Sequence, residues 1–140
     1  VKLMLLFSFF ALLTGCPGPG DRFEGTEDTR FVQKENSVCF FVPEASDYQP
    51  ISISISVRGT AWKDRDIFFN PPVQVIAGEL RVPESFYSFS RDGQFVISYV
   101  LRSVKKTDEA RFFIVGVQVF QGRVVYLPLD DNEAPRKSVI

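Results

Sequence analysis

Two hydrophobic patterns divide this chain. The first is an apolar run, Leu3 to Leu13, broken only by Ser8, preceded by Lys2 and followed by Thr14-Gly15-Cys16. The second begins at Arg30 and has a period of two. Ile51, Ile53, Ile55 and Val57 alternate with Ser52, Ser54, Ser56 and Arg58, which places the aliphatic residues on one side of a strand and the serines on the other. A strand with one dry and one wet side belongs to an antiparallel sheet packed on one face.

Further short runs surround it. Phe31–Gln33 and Val38–Pro43 flank the turn Lys34–Ser37 and read as a hairpin. Gly59–Asp66 is a loop, and Ile67–Asn70 a short strand stopped by Pro71-Pro72. Val73–Ile76 and Leu80–Val82 flank Ala77-Gly78-Glu79. Phe86–Ser90 and Gln94–Arg102 flank Arg91-Asp92-Gly93, and Asp-Gly between two such runs signals a hairpin. Phe112–Phe120 is apolar on both faces and is expected at the centre of a sheet; Gln121-Gly122 then turns it into Arg123–Leu129. No helical stripe longer than two turns occurs outside the N-terminal run. The pattern predicts an all-β fold, a single antiparallel β-sandwich of immunoglobulin-like type over residues 30–129, favoured over a closed barrel because the strands are uneven in length.

The N-terminal run is too short to cross a bilayer, which takes about twenty apolar residues. A basic start, an apolar stretch and small residues before a cysteine form a lipoprotein signal peptide, residues 1–15, cut between Gly15 and Cys16. Cys16 then carries the covalent lipid, and its thiol becomes the membrane anchor. Pro17 is not the Asp that retains such proteins at the inner membrane, so the expected location is the outer membrane, facing the periplasm. Residues 16–29, with Pro17-Gly18-Pro19-Gly20 and several acidic side chains, read as a flexible tether. The polar stretch 130–140 reads as a frayed tail.

Composition narrows the chemistry. The chain contains no histidine, which removes Ser-His-Asp and Cys-His hydrolysis and most zinc sites. Charge is nearly balanced at −1, without a basic cluster longer than Lys105-Lys106 or Arg136-Lys137, so nucleic acid is not an expected partner. No small-molecule substrate or cofactor beyond the lipid is implied, and no catalytic residue is assigned. Serine without a nearby base is no nucleophile. Asp64, Asp66 and Glu79, or Asp130, Asp131 and Glu133, lack the spaced oxygen ligands and glycine turn of a calcium loop. Cys39, within the apolar run Val38–Val42, is expected to be buried and inert.

One loop stands out as a binding candidate. Trp62, the only tryptophan, lies beside Lys63 and Arg65, the composition of an interface anchor. The alternative is that Trp62 folds back and closes one end of the sandwich. Arg91-Asp92 and Tyr48 are weaker contact candidates that ordinary turn chemistry also explains.

The run Leu13-Thr14-Gly15-Cys16-Pro17-Gly18-Pro19-Gly20-Asp21-Arg22 resembles the start of small enterobacterial-type lipoproteins described as type VI secretion immunity periplasmic lipoproteins, and Val38-Cys39 resembles their first core strand. The resemblance implies a protein that protects its own cell by binding a toxin delivered into the periplasm, and it supplies no catalytic residues. A structural or assembly lipoprotein of a secretion or surface-fibre apparatus is the rival reading.

Overall fold

The computed structural model describes residues 25–134. Nine strands follow in order: β1 (Arg30–Lys34), β2 (Ser37–Phe41), β3 (Tyr48–Val57), β4 (Ile67–Phe69), β5 (Val75–Ile76), β6 (Glu79–Val82), β7 (Gly93–Ser103), β8 (Ala110–Phe120) and β9 (Arg123–Leu127). They form a four-stranded sheet, β1-β2-β6-β5, and a five-stranded sheet, β4-β3-β7-β8-β9. All neighbouring pairs are antiparallel. This is the two-sheet layout of an immunoglobulin-like sandwich, ABED against C′CFG, with β9 added beyond the last strand. The barrel is excluded, since the two sheets remain separate.

Period-two alternation builds the core. Val38, Phe40, Leu80 and Val82 of the small sheet meet Ile53, Ile55, Ile97, Tyr99, Phe113, Val115 and Val117 of the large one. Antibody domains link the second strand of one sheet to the sixth position of the other by a disulfide. Here β2 and β7 are joined by rings instead: Phe40 and Tyr99 lie 5.5 Å apart, and Tyr99 stacks on Phe113 at 4.8 Å. Burial raises the Tyr99 phenol well above its ordinary range, and its hydroxyl is satisfied by Thr29 at 2.8 Å. Cys39 faces away from this core, opposite Val32 and Arg81, yet is only 1% exposed.

Both ends of the domain differ from expectation. Residues 25–29 belong to the domain and not to a tether. Glu27 forms a parallel bridge with Phe113 of β8, and Arg111 grips its carboxylate through Nε and Nη2, each at 2.8 Å, while Nη1 donates to the carbonyls of Pro43 and Glu44. Residues 130–134 are docked and not frayed. Leu129 and the buried Ala134 pack on Val96 and Ile114, and Arg58 donates to both Glu133 oxygens at 2.7 and 2.9 Å.

That docked segment explains a second correction. Ser54 and Ser56 are 6% and 8% exposed, not a solvated face. Register aligns Phe69, Ser52, Val100 and Phe112 in one row across the sheet, Ile67, Ser54, Ser98 and Ile114 in the next, and Ser56, Val96, Gly116 and Leu127 in a third. No charged side chain occurs in these rows, so the middle of the large sheet's outer face is apolar and hydroxylic, with Gln94, Gln118 and Arg102 beyond it, and the C-terminal segment lies against part of it. Gly116 marks the contact, because a Cβ there would meet the Leu127 carbonyl at 2.5 Å and the Leu129 side chain at 2.7 Å.

The Asp92-Gly93 hairpin is also absent. Residues 83–90 cross from β6 to β7, between the sheets: the Pro83 carbonyl accepts the amides of Phe86 and Tyr87, and Phe86, Tyr87 and Phe89 turn inward against the core. Three rings drawn to the sandwich edge outweigh the local turn signal. The expected turn at Gln121-Gly122 does form, with φ 49° and 77°, and Ala77-Gly78 has the same left-handed pair, 52° and 77°, which suits a tight hairpin.

Candidate partner-binding surface

The loop carrying Trp62 is built from the end of β3. Gly59 turns the chain at φ 91°, and Thr60 donates through both its amide and its hydroxyl to the Val57 carbonyl. A single 3-10 turn, Trp62–Asp64, follows, closed by Asp64 N–H to Ala61 O. Short 3-10 turns of this kind connect strands without a hydrophobic stripe of their own. Nothing in the turn is buried.

Trp62 is 59% exposed, so it does not close the end of the sandwich. The Arg65 guanidinium lies over its ring, with Cζ 3.9 Å from the centroid, in cation–π contact. Arg65 is itself held by Nε donating to Thr60 O at 3.0 Å. Desolvation lowers its pKa, and the nearby Glu133 charge partly opposes that. Ring and guanidinium therefore form one preorganised unit. Lys63 sits on the same turn but joins no ion pair among the described residues; it offers charge and no positioning.

Beside this loop runs β4, and all three of its residues are exposed. Phe68 leans on Phe86, with centroids 5.4 Å apart. Ile67 and Phe69 point to the outer face, and Phe69 is 75% exposed. Ile67 and Phe69 thus add apolar area beside the loop that the sequence marked through Trp62, Lys63 and Arg65. The signal for it was a three-residue apolar strand stopped by Pro-Pro: an edge strand that short cannot bury both of its faces.

The weaker candidates are structural. Tyr48 is half-buried, donates to Glu109 at 3.2 Å and lies under Arg111. Asp92 caps the β8–β9 turn by accepting the Gln121 amide. Of the acidic residues weighed as calcium ligands, Glu79 pairs with Lys34, and Asp130 and Glu133 pair with Arg58. Among the described residues no group of three or more metal-ligating side chains comes together. Gly15 and Cys16, the signal-cleavage and lipidation residues, lie outside the described residues.

Fold and surface together define an immunoglobulin-like β-sandwich that presents a rigid aromatic–cation loop and an apolar edge strand. Residues 26–122 match the family model described as a domain of unknown function, DUF7480, and the chain belongs to that family. No curated protein and no solved structure matches the chain.

Proposed function

We propose that this protein is a lipid-anchored binding module of the bacterial envelope, an immunity lipoprotein that neutralises a periplasmic type VI secretion effector by stoichiometric binding through the Trp62 loop. The observation that carries the binding reading is the exposed Trp62, stacked under Arg65, with Ile67 and Phe69 exposed on the strand that follows its loop. Large exposed apolar groups cost solubility unless they meet a partner. A tryptophan held by its own arginine loses little conformational freedom on binding, which is what a tight stoichiometric inhibitor needs. The anchor at Cys16 and the position facing the periplasm rest on the signal pattern, and the effector as partner rests on the resemblance of Leu13–Arg22 and Val38-Cys39 to immunity lipoproteins. An accessory role in a secretion or fibre apparatus is the second reading; it is favoured by the open edge of β9, which suits strand addition better than active-site occlusion.

Trp62→Ala tests the loop. With the melting curve unchanged, binding to the partner captured from the periplasm should weaken by about 2 kcal/mol, roughly thirty-fold. Unchanged binding by the folded variant would remove the loop from the proposal.

A further inference from the structure

A second surface lies on the opposite side of the domain, between β1 and β9. These are the outermost strands of their sheets, and a groove of about 720 Å³ runs between them, walled by Thr29, Phe31, Val32, Val124, Val125 and Tyr126. Gln33 closes one end: its amide nitrogen donates to Gly122 O at 2.8 Å, and its oxygen accepts the Val124 amide at 3.0 Å. That second bond orients the whole edge. In an antiparallel strand the N–H and C=O of one residue point the same way, and the direction alternates along the chain. Since the Val124 amide points away from β8, its carbonyl and both backbone groups of Tyr126 do too. These three groups make no hydrogen bond among the described residues. The Gln33 carboxamide therefore occupies the first position of a strand-shaped site and leaves the next ones open.

Charge sets the polarity of what fits. Arg30 lines the groove, and Arg123, the first residue of β9, precedes Val124 at its Gln33 end. Neither belongs to an ion pair among the described residues. Asp28 also lines the groove and already has an interaction of its own. We infer that the groove accepts an extended segment of a partner protein, which adds a strand to the β9 edge, with apolar side chains at alternate positions and a carboxylate towards each end. A strand of about five residues, the ordinary length, would fill it. Backbone pairing supplies affinity in such an addition, and alternate side-chain positions supply selectivity. The inference does not depend on the Trp62 loop, so loss of binding at one surface leaves the other standing.

The test uses the chain from residue 16 onward with Cys16→Ser, and as probe the peptide Glu-Val-Thr-Val-Thr-Val-Glu with blocked ends. The peptide should slow hydrogen exchange at the Tyr126 amide. Tyr126→Pro removes the outward donor at a position where an edge strand tolerates proline, and should weaken the peptide about tenfold, the worth of roughly one backbone hydrogen bond. Exchanging the terminal Glu residues of the peptide for Lys should weaken it similarly. Should Tyr126→Pro fail to fold, the pair Arg30→Glu and Arg123→Glu replaces it, with the same loss expected for the Glu-ended peptide and a gain for the Lys-ended one. Equal binding of both peptides, or no protection of Tyr126 at saturation, overturns the inference. So does a Tyr126 amide already protected in the protein alone, because the chain itself or a second copy would then hold the groove.

Discussion

Single side chains in this domain act mainly by closing space or by satisfying a buried polar atom. Gly116 is the sharpest case, because its missing Cβ lets the Leu127 carbonyl and the Leu129 side chain descend onto β8. Gly116→Ala should lower stability by about 1–3 kcal/mol through overpacking. The check is the denaturant midpoint, with the slope unchanged, and a variant as stable as wild type would show that the C-terminal segment can lift without cost. Cys39 is legible in the sequence only through the apolar run around it: alternation puts its thiol on the face opposite Val38 and Phe40, and the fold buries it there. Trp62 is not, since a lone tryptophan in a charged loop satisfies both an inward and an outward placement. Its exposure in the folded domain decides it, with Arg65 above the ring holding it there.

At the scale of elements, the clamp between Arg58 at the end of β3 and Glu133 of the C-terminal segment joins two parts of the chain that no local pattern relates. The Arg58 guanidinium, donating through two nitrogens, holds the Glu133 carboxyl down at about 2 from an ordinary 4.5, with the Asp130 amide adding to the effect. A carboxylate whose pKa is depressed by folding contributes stability above its unfolded pKa and loses it as pH falls towards the folded value. Wild-type stability should therefore fall between pH 4.5 and pH 2 by more than that of Glu133→Gln, which has no such charge to lose. Thermal melts of both proteins across that window give the answer, and parallel pH dependences would mean the clamp is absent in solution. Glu133 also lies close enough to influence Arg65, so the C-terminal segment and the Trp62 loop share one electrostatic neighbour.

For the whole molecule, the decisive arrangement is where the chain begins its fold. Arg111 pins Glu27 against β8, so the segment leading back to Cys16 leaves the domain from a rigid anchor. If Cys16 carries the proposed lipid, a pull on it would meet a bidentate ion pair and a β-bridge before the core. Cys16→Ser should abolish lipid attachment, because a hydroxyl does not replace the thiol in acyl transfer. Labelled palmitate on the wild type and none on the variant is the expected result, and an unlabelled wild type would remove the membrane from the picture.

The β character, the membership of most strands and much of the inward-facing set are legible in the chain, because alternation at Ile51–Val57 and Phe113–Val119 follows from backbone geometry alone. The sequence also marked Cys39 as buried and the Trp62 loop as chemically distinct. Tertiary structure decided the rest. Alternation tells which residues share a face but not what covers that face, so Ser54 and Ser56 read as wet until the chain returned over them. Turn chemistry proposes a hairpin, but Phe86, Tyr87 and Phe89 gained more by burial than Asp92-Gly93 could supply. The ends of the domain were set by Arg111 with Glu27 and by Arg58 with Glu133, partners 84 and 75 residues apart. The surfaces that matter for binding arise where strands stop pairing. An open edge is a property of the assembled sheet, and no window of sequence contains it.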